Sequence, residues 1–142
     1  MIVTSKKTWR RRMMTVAGVA GSTALVAGAG IGYAAGAGGS VAQATSKSTA
    51  VTLNKPSGQV TTHNASLAAG GVVSFVVNNS AVAASDTVNL NLKSGNAGAG
   101  TYRYWIEGVA AGSFKIVIEN RSAGALAEAL VFNFAVIKAV SS

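Results

Sequence analysis

From residue 40 onward the chain alternates between apolar and polar positions with a period of two, the signature of extended strands with one buried face. The longest apolar run is Leu130–Ala139, L-V-F-N-F-A-V-I-K-A. Leu130, Phe132, Phe134 and Val136 fall on one side of an extended chain, and Val131, Asn133, Ala135 and Ile137 on the other. One set is wholly apolar and the other nearly so, which predicts a central strand covered on both faces. Ten residues rich in Val, Ile and Phe favour a strand over a buried helix.

The same reading predicts short Thr/Val-rich strands over Val41–Thr45 and Ala50–Lys55, then a turn, Asn54–Gly58, that holds the single Pro. Gln59–His63 resumes the extended pattern, and Asn64–Gly71 is a small-residue connection. Val72–Asn78 sets Val73, Phe75 and Val77 against Val72, Ser74 and Val76. Thr87–Leu92 places Val88, Leu90 and Leu92 inward. Lys93–Gly100 reads as a flexible loop, a hairpin tip or a surface insertion. Thr101–Gly108 opposes Tyr102, Tyr104 and Ile106 to Arg103, Trp105 and Glu107. Ser113–Asn120 opposes Phe114, Ile116 and Ile118 to Lys115, Val117 and Glu119. Ala123–Ala129 has helix-forming residues but is short, and reads as a turn into the last strand. No stretch after residue 40 carries a 3.6-residue apolar period, which argues against a parallel α/β sheet. The expected fold is all-β, an antiparallel β-sandwich with a jelly roll among its arrangements. Two regions follow: 1–39, a basic tip with an Ala/Gly-rich arm, and 40–142, the β-sandwich domain.

Composition changes this picture in two ways. The chain has 142 residues with 17 Gly and only 11% charged residues, against about a quarter in ordinary domains. Ser, Thr, Asn, Ala and Gly must therefore cover much of its surface. The net charge of +8 is concentrated at one end, where Lys6, Lys7, Arg10, Arg11 and Arg12 supply five positive charges. Residues 40–142 hold seven basic residues against Asp86, Glu107, Glu119 and Glu128, a net of +3. That balance does not make the body a specific nucleic-acid binder. Cysteine is absent, so disulfides and thiolate metal sites are excluded.

The first thirty-nine residues admit several readings. The basic tip, a weakly apolar run and small residues near Ala34–Ala37 fit an export signal, with Arg11-Arg12 faintly similar to a twin-arginine step. The run is long enough for a membrane helix, but eight Gly between Met13 and Gly39 weaken it. A flexible arm that orders against a partner is the third reading. A start at Met13 or Met14 would remove the basic tip. A membrane partner is expected only if this segment is a signal or anchor.

Candidate chemistry is sparse. His63 is the only histidine, and the four acids lie singly, so neither a metal site nor a Ser-His-Asp site has support beyond counting. Glu107 and Glu119 would be neighbours if their strands paired, but a salt-bridged face is the expected arrangement. No phosphate-binding glycine pattern is present. Asn64, Asn78 and Asn120 each begin an N-x-S triplet. Tyr102, Arg103, Tyr104 and Trp105 form an aromatic-basic cluster that fits a protein contact better than base or sugar stacking. With Tyr33 in the arm, these are the candidate protein-contact residues. No catalytic residue, metal or cofactor is expected.

Two segments add a family resemblance. Gly32–Gly39, G-Y-A-A-G-A-G-G, followed by Ser40–Thr61, S-V-A-Q-A-T-S-K-S-T-A-V-T-L-N-K-P-S-G-Q-V-T, is similar to the opening of small structural proteins of tailed bacteriophages and prophages. Ala111–Ala139, which ends in N-F-A-V-I-K-A, resembles the closing segment of the same group. The Lys6–Arg12 tip departs from the group. The resemblance implies a non-enzymatic virion component, such as a head decoration or cement protein on the capsid surface. The partner it implies is the major capsid protein, reached as a homo-oligomer, a dimer or trimer. The other readings are a tail or fibre component, and an exported carbohydrate-binding or adhesive β module with Trp105, Tyr102 and Tyr104 as its platform.

Overall fold

The computed structural model describes residues 32–139. The basic tip and the Met13 and Met14 start sites lie outside the described residues, as does all of the Ala/Gly-rich segment before Gly32. Eight strands and no helix are present among the described residues: β1 Ser40–Ala42, β2 Val51–Thr52, β3 Ser57–Thr61, β4 Val72–Asn78, β5 Thr87–Ser94, β6 Tyr102–Ala110, β7 Ser113–Asn120 and β8 Val131–Ile137. They form two four-stranded sheets, ordered β1-β3-β8-β5 and β2-β4-β7-β6.

The two orders correspond position by position. Each consecutive pair, β1–β2, β3–β4, β5–β6 and β7–β8, gives one strand to each sheet. The chain is thus a row of four arches set side by side, with β1 against β2 at one flank and β5 against β6 at the other. Only β6 and β7 are joined as neighbours within one sheet.

Inward-facing residues from both sheets meet in one apolar interior. Phe114 of β7 meets Phe134 of β8 edge to face at 5.3 Å, and Tyr104 of β6 meets Phe132 of β8 at 5.2 Å. Val60, Val77, Phe114, Ile116, Ile118 and Phe132 are fully enclosed. These are the positions that period-two alternation assigns to the inner face.

Several expectations change. The sheets are mixed: β1 runs parallel to β3 and β2 parallel to β4, with the other pairings antiparallel. The parallel pairs arise because each arch returns the chain to the first sheet before it lays the next strand. Alternation reports which face is buried and carries no information on partner direction. The segment Val41–Thr45 shrinks to three residues, Ala50–Lys55 shrinks to two, and β3 begins at Ser57 rather than Gln59. Lys93–Gly100 is no hairpin tip, since it carries the chain from one sheet to the other. Ala123–Ala129 contains no helix and supplies only a bridge from Leu126 to Leu67.

The final strand is interior, between β3 and β5. However, among the described residues only one of its faces is covered. Phe132, Phe134 and Val136 are buried, whereas Asn133 is exposed and Ile137 is 55% exposed. The wholly apolar alternate set therefore marks the inner face, and among the described residues the near-apolar set faces outward.

Candidate functional site

The aromatic-basic cluster lies on β6, an edge strand, and the strand divides it. Tyr102 is buried and Tyr104 packs on the core. Arg103, Trp105 and Glu107 occupy the outer face, as the alternation predicts. So only two of the four clustered candidates, Arg103 and Trp105, share an outward surface.

Register builds that surface. Arg103 stands opposite Glu119, which stands opposite Val72. Trp105 stands opposite Val117, and Val117 opposite Ser74. Glu107 stands opposite Lys115, and Lys115 opposite Val76. The two carboxylates are thus in separate rows, each across from a cation, and do not form the acid pair that glycoside hydrolysis requires. Arg103 reaches Glu119 at 3.9 Å, and its guanidinium carbon lies 5.3 Å from the Trp105 ring centroid. Trp105 Nε1–H donates to Glu107 Oε1 at 2.7 Å.

The indole is therefore held at both ends. Its N–H is engaged along the strand, and the guanidinium lies over its ring. Val117 beside it is only 4% exposed, although it lies outside the shared interior. Val72, on the same face, is 59% exposed. The result is a half-buried Trp105 seated in a row with the buried Val117 and then Ser74, between a row of Arg103, Glu119 and the exposed Val72 and a row of Glu107, Lys115 and Val76.

Tyr33 belongs to a different place. It is half-buried, and its hydroxyl donates to the carbonyl of Val136 on β8. Burial raises its pKa above the ordinary phenol value, the Asp86 carboxylate adds to this, and Lys138 opposes it. Asp86 accepts from Lys138 Nζ at 2.6 Å and from the Ala83 N–H at 2.7 Å. These bonds lower its pKa, the Lys138 bond foremost. Residues 33–39 are tied to the body further along: the Gln59 N–H donates to Gly39 O at 2.9 Å, and Lys55 Nζ approaches Gly36 O at 3.5 Å.

One cluster escaped the sequence reading. Lys47 is 3% exposed and donates its ammonium to the carbonyls of His63 and Glu128. Gln43, also buried, donates to the Lys47 and Thr49 carbonyls and accepts from the His63 N–H. The Tyr102 hydroxyl is buried beside Glu128, and burial followed by that carboxylate pushes its pKa well above the ordinary phenol value. Burial likewise lowers the Lys47 pKa, with Glu128 opposing. Gln43 and Lys47 lie in a Ser/Thr-rich stretch without periodicity, so nothing local marked them as interior.

The remaining candidates are accounted for locally. His63 Nδ1 accepts from the Ala65 N–H at 3.0 Å, the bond of a turn just past β3. The Asn120 side chain is fully buried and donates to the Leu67 and Gly124 carbonyls, so its N-x-S triplet is not presented for modification. Among the described residues no group of three or more His, Asp or Glu is placed to hold a metal ion, and no helix is long and apolar enough to cross a membrane. No family model, curated protein or solved structure matches the chain.

Proposed function

We propose that the chain is a structural component of a tailed-bacteriophage virion, a head decoration or cement protein that binds the shell of the major capsid protein. The observation that carries this reading is the Trp105 surface. An aromatic ring already covered by Arg103 and bonded through its N–H to Glu107 is poorly disposed to stack a sugar ring. As a fixed aromatic ring flanked by rows that hold Arg103, Glu119, Glu107 and Lys115 it suits a protein partner, where buried Trp and Arg typically carry much of the affinity.

Two further features support the reading. The segments that resemble phage structural proteins, Ser40–Thr61 and Ala111–Ala139, are far apart in sequence but paired in space through β3 and β8. They supply β1, β3 and β8, which are neighbours in one sheet, and β2 and β7, which β4 separates in the other. We read the pair of sheets as a β-sandwich. Eight strands in two sheets also match the count of a jelly roll. Strands β3 and β4 running antiparallel to β8 and β7 fit that plan, and the parallel β1 and β2 depart from it. In this reading the Ala/Gly-rich segment before Gly32, which lies outside the described residues, runs along a neighbouring capsid subunit. The mechanism is mechanical: a small rigid body bridges capsid subunits, and the surface it buries resists shell expansion.

Purified virions should contain the chain in many copies on the head. Trp105→Ala and Arg103→Ala should fold as the wild type does, yet lose binding to shells assembled from the major capsid protein. Absence from virions would overturn the reading. A few copies located at the tail would assign the chain to tail or fibre. Polysaccharide binding that Trp105→Ala abolishes, without capsid binding, would establish the exported carbohydrate-binding module.

A further inference from the structure

The four sheet edges differ in how they are guarded. β1 has three residues and β2 has two, too short to template another strand. β6 carries Arg103 and Glu107 and is interrupted between Glu107 and Ala110, where Gly108 takes φ +58°. Charges and bulges of this kind protect an edge. β5 has neither until its last residues. Thr87–Leu92, T-V-N-L-N-L, holds no charge and no proline, and its pairing with β8 stays regular until the shift between Leu92 and Ser94. Among the described residues, no hydrogen bond from another segment reaches the open side of Thr87–Leu92.

The surroundings of this edge have the same character. A polar row crosses the whole outer face of its sheet, with Ser40 opposite Gln59, Gln59 opposite Asn133, and Asn133 opposite Asn91. Gln59 Nε2 donates to Asn133 Oδ1 at 3.0 Å. The row ends abruptly at Asn91 on the free edge. Beneath it, the flank between β5 and β6 is lined by Leu90, Leu92, Tyr104 and Ile106, all only partly buried.

We infer that the β5 edge is a self-association surface whose partner is the β5 edge of a second copy of this chain, paired antiparallel about a two-fold axis at Leu90. That register sets Asn89 opposite Asn91 of the second copy and Val88 opposite Leu92. Amide meets amide on the outer face, apolar meets apolar on the inner face, and no like charges are opposed. Asn91, at the end of the amide row, gains Asn89 of the second copy as its neighbour, and the flanking Leu90, Leu92, Tyr104 and Ile106 lose their remaining contact with water. The strand is about 27 Å long at about 3.4 Å per residue, and two layers with their side chains are about 20 Å thick. The flank therefore offers roughly 500 Å² per partner, near the lower bound for a stable complex. The dimer should accordingly exchange with monomer as concentration falls. This inference does not rest on the virion reading and holds equally for a tail component or an exported module.

The test uses the full-length chain in sedimentation equilibrium from micromolar to near-millimolar concentration, alongside hydrogen exchange resolved to β5. The expected result is a reversible monomer–dimer equilibrium, with Thr87–Leu92 amides gaining protection as the dimer forms. Asn89→Lys with Asn91→Lys places like charges directly across the axis and should abolish the dimer. Both side chains are exposed, so the fold should survive. Mixing that variant with Asn89→Glu/Asn91→Glu should restore a heterodimer. A monomer at every concentration overturns the inference. So does a dimer whose β5 amides gain no protection, or one that survives the lysine pair. Should the lysine variant fail to fold, the wild-type exchange pattern alone decides.

Discussion

At the residue scale, the inner face and the buried polar cluster make separate predictions. Phe134 is 3% exposed and packs edge to face on Phe114. Truncation to Ala should cost about 3–5 kcal/mol in urea unfolding, because the rigid interior closes only partly over the cavity. His63→Ala should leave folding and assembly intact, since its ring bond serves only a local turn. Lys47→Ala removes a buried side chain and leaves the partly buried carbonyls of His63 and Glu128 without this donor, and should cost about 1–3 kcal/mol. The pH dependence follows from two opposite shifts. The Asp86 pKa is lowered on folding, chiefly by Lys138, so its contribution is present above the ordinary carboxylate range and lost as pH falls through the folded value. The Lys47 pKa is lowered by burial. Between its folded value and the ordinary lysine value the unfolded chain holds more protons, and stability rises with pH. Melting curves across pH should show both limbs, and Asp86→Asn should flatten the acidic one.

At the element scale, strands marked by their own residues were legible, and those defined by their neighbours were not. Val72–Asn78 and Ser113–Asn120 appear with the boundaries the pattern predicts, because each is a run rich in β-branched and aromatic residues that follows a glycine and ends at an Asn. Arg103 and Trp105 on the outer face of β6 were legible from the alternation. β1 and β2 were overdrawn, because Thr and Val propensity extends further than their partners do. The Lys47, Gln43 and Glu128 cluster was invisible, since Lys47 and Glu128 are 81 residues apart and meet through a backbone carbonyl. The loop after β5 shows the same limit. Its glycines suggest freedom, yet Gly95 sits at φ +97° with its Cβ position 2.1 Å from the Ala129 carbonyl oxygen. Gly95→Ala should therefore cost at least about 1–3 kcal/mol from backbone strain alone, measurable as a lower unfolding midpoint. Gly112→Ala is the useful contrast: its φ is similarly positive, +82°, but nothing stands within 4 Å of its Cβ position. It should show strain without collision, and a smaller loss.

At the scale of the whole molecule, the row of arches sets where the folded body begins. Dividing the chain at residue 39 follows the change in composition from Ala/Gly-rich to strand-like. The contacts run across that line. The Gly39 carbonyl accepts from Gln59, continuing the β1–β3 pairing backwards, and Tyr33 caps the carbonyl of Val136 beside the Asp86–Lys138 pair. Gly39 also lies where a Cβ would come within 2.9 Å of the Leu53 side chain, so the backbone here is packed against the first arch. Residues 33–39 therefore act as an added rim on the outermost arch, the one whose strands are shortest and least able to hold themselves. Two truncations separate the contributions. A chain beginning at Gly32 keeps these bonds, and a chain beginning at Ser40 loses them together. The second should be less stable by about 1–3 kcal/mol, the worth of a few partly buried hydrogen bonds. Its extra hydrogen exchange should be confined to β1, β3 and the end of β8. Equal stability and identical exchange in the two chains would place the start of the folded unit at Ser40.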